Sequence, residues 1–250
     1  MKKLLMMASL AFGGAAQAAD ITVIATAGVK EAYLALVPQY EKTSGNKVLT
    51  TWSGTADVLK RMKAGEVFDA VVAPSNALEE LTDTGRLMAG SRSDIARSQV
   101  GVAVRAGAPR PDVASPEALK RTLAAAKTVG ISTGPSGVYM TGLFQRMGVL
   151  DEVKPKFRTP PSGAAIGELI AKGEAEIGFQ QVSELIHYPG IQFIGALPEA
   201  LQQTTVFSGG VHVNAREPDA ALAFLRFLAL PQHAALLQKH GLQLGTASPF

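Results

Sequence analysis

The residues with the clearest chemical use are small and neutral, and they recur at one kind of place. Ala27-Gly28 follows a β-branched run at 21–25. Ser53-Gly54-Thr55 follows a second strand-like run at 47–52. Thr133-Gly134-Pro135-Ser136-Gly137 follows a third at 128–132, and Pro161-Ser162-Gly163 precedes a helical stretch. Glycine lets the backbone approach a ligand closely, and serine or threonine adds a hydroxyl donor. A helix opening at such a turn presents unpaired N–H groups and a partial positive charge. Together these groups suit capture of a small anion without a formal cation. Any one of the turns is equally explained by ordinary capping; their repetition in a single chain sets them apart.

Other chemistry finds little support. No G-x-G-x-x-G follows a strand, and there is no P-loop, no H-E-x-x-H and no G-x-S-x-G. Cysteine is absent, which excludes thiol catalysis, thiolate metal sites and a disulfide framework. Of the four histidines, His212 lies after Ser208-Gly209-Gly210 on a strand and is the one placed near a glycine-rich segment.

Strands alternating with helices position these turns. Strand-like runs at 21–25, 47–52, 69–73, 99–105, 128–132, 176–180 and 204–213 are interleaved with helical patterns at 29–40, 55–64, 75–81, 138–147, 164–172, 217–229 and 232–240. Ser115-Pro116-Glu117 opens a further helix with a cap, a proline at the first position and an acid near the positive end. This alternation predicts an α/β fold with a largely parallel sheet, in which ligands sit beyond the carboxyl ends of the strands.

The chain has 250 residues, 47% hydrophobic and 18% charged, an ordinary globular composition. Lys2 and Lys3, an apolar stretch at 4–16 and Ala16-Gln17-Ala18 have the layout of a secretory signal peptide, 1–18. Its removal would take 24 basic residues to 22 against 21 acidic ones, a balance of +1 instead of +3. Such a balance gives no general attraction to nucleic acid. The mature chain is expected to be periplasmic, with no membrane insertion.

A resemblance is carried by Ile21-Thr22-Val23-Ile24-Ala25-Thr26-Ala27, Glu41-Lys42-Thr43-Ser44-Gly45, Met62-Lys63-Ala64-Gly65 leading to Asp69-Ala70-Val71-Val72, Gly173-Glu174-Ala175-Glu176-Ile177-Gly178 and the segment 231–241. On these the chain, nearly end to end, resembles the periplasmic molybdate-binding protein family, type II solute-binding proteins of ABC importers. The resemblance implies two Rossmann-like lobes with a central ligand cleft and two crossover segments. With crossings near Val102 and Val206, lobe one takes 19–101 plus 207–250 and lobe two takes 102–206. It also implies a monomer without cofactor or metal, a small anionic ligand and an ABC permease as partner.

The family's ligand positions carry over unevenly. Gly28 stands where the family has a serine, Thr55 keeps a hydroxyl, Gln181 replaces a tyrosine, and Gly163 matches a backbone donor. An amide at Gln181 fits a carboxylate or hydroxyl-bearing acid better than a bare oxyanion. The expected ligand-binding set is Gly28, Lys30, Ser53, Gly54, Thr55, Ser136, Gly137, Gly163 and Gln181, and the expected ligand is an organic acid or an oxyanion such as molybdate. The segments 94–109, Gly137-Val138-Tyr139, 178–185 and Phe207-Ser208-Gly209 resemble the aconitate isomerase branch of the same scaffold. That resemblance implies an allylic proton shift, with His212, Glu184 or Tyr139 as base and Lys30, Arg61 or Arg105 gripping carboxylates.

Overall fold

The structure is a computed structural model that describes residues 18–245. The segment read as a signal peptide lies almost entirely outside the described residues. Among the described residues no single helix is long and apolar enough to cross a membrane.

The first lobe opens with β1 (Asp20–Thr26), α1 (Lys30–Ser44), β2 (Lys47–Ser53), α2 (Thr55–Lys63), β3 (Ala70–Pro74) and α3 (Ser75–Asp83). β1 pairs in parallel with β2 and β3, so Thr26, Ser53 and Pro74 end together at one edge. The continuous apolar run of β1 reflects burial on both faces. Ile21, Val23 and Ala25 pack with Tyr33, Leu36 and Phe224, whereas Ile24 packs with Val58, Met62 and Leu78 on the opposite side. Each such fully buried large apolar side chain contributes about 1.5–3 kcal/mol.

β4 (Ser93–Arg105) leads into the second lobe, which contains α4 (Pro116–Ala125), β5 (Val129–Ile131), α5 (Pro135–Arg146), α6 (Leu150–Val153), β6 (Phe157–Arg158), α7 (Ile166–Ala171), β7 (Ile177–Gln181), α8 (Val182–Leu185) and β8 (Ile191–Ala196). β9 (Thr204–Val211) returns to the first lobe, followed by α9 (Pro218–Leu228), α10 (Ala234–Lys239) and β10 (Gln243–Leu244). β5 is parallel to β6 and β7, which repeats the layout of the first lobe. Its two faces are covered by Leu119, Met140, Phe144 and Phe179 on one side and by Ile166, Ile170 and Leu185 on the other.

Two strands join the lobes, and both are antiparallel to their neighbours. Residues 93–99 of β4 pair with β9, and residues 100–105 pair with β7 and β8. The sheet is therefore mixed rather than largely parallel, because the two crossover strands run against the parallel units. The exchange of partners falls between Gln99 and Val100 on β4, and β9 rejoins the first lobe at Thr204, against Val102 and Val206 in the sequence reading. The polar run Arg97-Ser98-Gln99 precedes the exchange, and the alternation of Val100, Val102 and Val104 begins after it. The antiparallel β8 also went unread, because its glycine and polar residues dilute the strand pattern.

One buried carboxylate closes the far end of the first lobe. Asp69 accepts from the Thr22 N–H (2.8 Å) and hydroxyl (2.6 Å), and from the N–H groups of Arg216 (2.7 Å) and Glu217 (3.0 Å). Burial alone would raise its pKa; these four donors outweigh it and hold the carboxyl below its usual range.

Candidate functional site

The parallel strands of both lobes end at the same cleft, and the turns that follow them enclose a cavity of about 40 Å³, roughly the space of three waters. From the first lobe come Thr26, Ala27 and Gly28 after β1, and Ser53, Gly54 and Thr55 between β2 and α2. The second lobe supplies Ser132 to Ser136 before α5, Gly163 and Ala164 before α7, and Gln180, Gln181 and Glu184 at the β7–α8 turn. Phe207 on β9 completes the wall.

The lobes meet across this cleft. The Ser183 hydroxyl donates to the Gly28 carbonyl at 2.7 Å, and Gln181 bonds Thr205 on β9 at 2.9 Å. At the mouth, a Cβ on Gly54 would stand 2.0 Å from Ser162 Oγ and 2.9 Å from the Gly163 nitrogen, so the two loops touch. A Cβ on Gly28 would enter the Phe207 ring, at 2.2 Å from Cζ, which ties this turn to glycine by close approach alone.

Two full-length helices, α2 and α5, point their N-termini into the cavity, with Gly54 and Gly134 as caps that carry no side chain to satisfy the first N–H groups. The first N–H groups of α2 remain for a ligand; in α5 Pro135 has none and the Gly137 N–H donates to the Gly134 carbonyl at 3.0 Å, which leaves that of Ser136. The Thr55 hydroxyl has no hydrogen-bond partner among the described residues. The Ser132 and Ser136 hydroxyls pair at 3.0 Å. Thr26 Oγ1 and one end of the Gln181 amide are buried without a protein partner, although both residues line the cavity. Two orphaned polar atoms in one small cavity are what a polar ligand would satisfy.

Glu184 is the only charged residue among those lining the cavity. Desolvation pushes its carboxyl up to about 7; the Gln180 amide, donating to Oε1 at 2.9 Å, works against that rise. Gln180 in turn accepts the Ile166 N–H at 2.8 Å, which fixes the orientation of its amide.

Of the expected ligand residues, the structure brings Gly28, Ser53, Gly54, Thr55, Ser136, Gly163 and Gln181 together around one cavity. The Ser53 hydroxyl is committed to the Asp57 carboxylate on α2. Lys30 and Gly137 do not line the cavity. The Lys30 ammonium lies 5.6 Å over the Trp52 ring, where a cation gains from the π face. Gly137 is packed against the Ser132 carbonyl, which a Cβ would approach to 1.7 Å, so it fixes the start of α5.

Two of the three base candidates do not line this cavity, although Tyr139 lines an adjoining one that shares Thr55 and Thr133 to Pro135 with it. β9 is antiparallel to β3, with Phe207 opposite Pro74 at the cleft and Val211 opposite Ala70 at the other end. His212 therefore lies about 16 Å beyond Phe207 at the strand rise of ~3.3 Å per residue, beside Asp69. Tyr139 donates its hydroxyl to the Leu201 carbonyl at 3.0 Å. The expected carboxylate clamps are absent from the cavity too: Arg61 makes a two-pronged pair with Glu66 at 2.6 and 2.5 Å, and Arg105 ends β4 away from the cleft. Thr26, Ser132, Thr133, Gln180 and Phe207 were not among the expected ligand residues, although Thr133 belongs to a turn that the sequence singled out. Thr26, Ser132 and Thr133 follow from the strand-end rule that found their neighbours.

The chain matches the family described as Bacterial extracellular solute-binding protein over residues 21–243. It is 34% identical to an aconitate isomerase of Pseudomonas sp, over 98% of this chain and 95% of that one. It is 26% identical to the molybdate-binding protein ModA of Azotobacter vinelandii, over 91% of each. The solved periplasmic molybdate-binding protein of the same organism superposes with a TM-score of 0.76 at 19% identity, covering 90% of this chain and 100% of that one. Two lobes of like topology, two crossover strands and a cleft of strand-end turns agree with that match, and the chain belongs to the bacterial extracellular solute-binding protein family.

Proposed function

We propose that this solute-binding protein captures a small carboxylic acid anion in the periplasm, in the cleft between its lobes, and presents it to a membrane permease. The observation that carries the reading is the mixture of donors and acceptors around one cavity. The helix N-termini and the Thr55 hydroxyl donate, whereas the unpartnered Gln181 oxygen accepts, as Glu184 does when ionised. A fully ionised oxyanion such as molybdate only accepts, so Glu184 opposes it as a carboxylate. An organic acid can bring its own hydroxyl or carboxyl proton and use both kinds of partner. The cavity suits one carboxylate head, and a larger acid requires the lobes to part at the two crossover strands.

A second reading is favoured by the identity with the aconitate isomerase and by Glu184. A carboxylate that titrates near neutral pH in a cleft suits proton transfer. In an allylic shift it would take a proton from a CH₂ beside the double bond. The C–H electron pair would move into the conjugated carboxylate and then out to the far carbon, which takes the proton back. Helix N-termini would stabilise the charge built up on the carboxylate in between.

One experiment addresses both readings. Titration calorimetry with succinate, fumarate, citrate, cis- and trans-aconitate, sulfate and molybdate is expected to show binding of a carboxylic acid. Silence toward every acid overturns the first reading. Chromatography after incubation with trans-aconitate is expected to show cis-aconitate under the second, and a blank rejects it.

A further inference from the structure

Glu184 sits in an unusual place for a site that is to receive an anion. It is the one formal charge on the cavity wall, and it carries the wrong sign. No cation has been placed beside it. On the elements packed against α8, Glu168 pairs with Lys172, Asp94 with Arg92 and Ser208, and Arg97 with the Leu244 carbonyl. Arg105 lies at the distal end of β4, and His187 bonds the Lys239 carbonyl. None of these shifts the Glu184 carboxyl, which feels only burial and Gln180.

The two oxygens of this carboxyl differ. Oε1 faces the Gln180 amide, whose orientation is fixed because its own oxygen takes the Ile166 N–H. A proton therefore cannot sit on Oε1 without opposing that donor. Oε2 has no partner among the described residues and is the oxygen left to carry a proton.

We infer that the cleft binds its anion together with one proton, held on Glu184 Oε2 and donated to the ligand, so that Glu184 is a specificity-determining residue and Gln180 positions it. This rests on the carboxylic-acid reading above. With Glu184 ionised, ligand and wall repel across a small cavity. Once protonated, the wall becomes one more donor. An anion arriving above pH 7 must bring a proton from solvent, and affinity falls with pH in that range. The neutral Gln180–Glu184 pair would then complete a cleft with no formal charge of its own.

The test is calorimetric titration of the whole mature protein with fumarate, trans-aconitate and sulfate at pH 6.0 and 8.5. Each pH is run in two buffers of different ionisation enthalpy, so that proton uptake is read directly from the wild type. From a carboxyl that titrates at about 7, affinity is expected to fall about thirtyfold between these pH values, with close to one proton taken up at pH 8.5 and almost none at pH 6.0. Glu184→Gln mimics the protonated group. It is expected to bind as the wild type does at pH 6.0, to stay within about twofold at pH 8.5, and so to exceed the wild type there. Wild-type binding that is flat with pH and free of proton uptake overturns the inference and leaves the carboxylic-acid reading standing. A Glu184→Gln protein that binds more weakly than the wild type at pH 8.5 overturns it as well. Silence of the wild type toward all three probes at pH 6.0 removes both together.

Discussion

Gly54 offers a way to separate closure from folding. Its backbone is extended, at φ −75° and ψ 154°, which alanine adopts freely. The nearest atoms to a new Cβ all belong to the opposite loop: Ser162 Oγ at 2.0 Å, the Gly163 nitrogen at 2.9 Å and the Ser162 carbonyl carbon at 3.2 Å. The exposed Ser162 hydroxyl can rotate away; the Gly163 backbone cannot. Gly54→Ala should therefore hold the lobes slightly apart, at the cost of an overpacked contact, about 1–3 kcal/mol against the closed form. At 1.4 kcal/mol per decade, ligand affinity should fall about five- to hundredfold. The unfolded chain loses freedom, so thermal stability without ligand should be unchanged or higher. Gly137→Ala is the control, because its Cβ would stand 1.7 Å from the Ser132 carbonyl oxygen inside one lobe. That variant should melt several degrees lower. Calorimetric titration and a thermal melt of both proteins decide the matter. Undiminished affinity in Gly54→Ala, or a melting drop matching that of Gly137→Ala, would refute the reasoning.

Three further outcomes are expected. Thr55→Ala and Gln181→Ala should each weaken ligand binding at least severalfold while leaving the circular dichroism spectrum unchanged, since each removes a polar group from the cavity wall; unaltered affinity in both would displace the site. Asp69→Asn should lower the melting temperature by removing the charge from four hydrogen bonds. Because the folded carboxyl titrates below its unfolded value of about 3.9, its contribution is present above that pH and is lost as pH falls through the depressed value; equal acid sensitivity of Asp69→Asn and wild type would contradict this. His212→Gln, at the far end of β9, should leave ligand affinity within twofold, and a larger loss would bring that strand end into the site.

Much of the site was legible because parallel strands share a polarity. Once β1, β2, β5 and β7 are recognised as parallel units, their carboxyl ends must converge, and the turns that follow them become neighbours from anywhere in the chain. That logic reached Gly28, Ser53, Gly54, Thr55, Ser136 and Gly163, which line one cavity, whereas Gln181 came from the family resemblance. It fails for side chains whose direction depends on a neighbour's position. Lys30 follows Gly28 closely in sequence, but it swings to the Trp52 ring supplied by β2. Ser53 lies at a strand end, but its hydroxyl finds Asp57 on the next helix.

His212 and Glu184 show the same rule from two sides. The glycine-rich run before His212 has the look of a site, but β9 is a crossover strand and runs against its neighbours, so its cleft end is Thr204–Phe207 and its histidine exits at the opposite edge. Glycines there serve packing: a Cβ on Gly209 would enter Leu225 at 2.4 Å. Glu184 has no glycine-rich run around it. Its importance comes from β7 running with β5, which delivers the β7–α8 turn to the cleft, and from a wall that offers it no cation. A carboxylate placed there without compensation is costly to bury in its charged form. A protonated carboxyl, with one oxygen held by an anchored amide and the other free to carry the proton, lowers that cost. The pH dependence of capture, measured on the wild type and on Glu184→Gln, thus bears on why this cleft tolerates an acid at all.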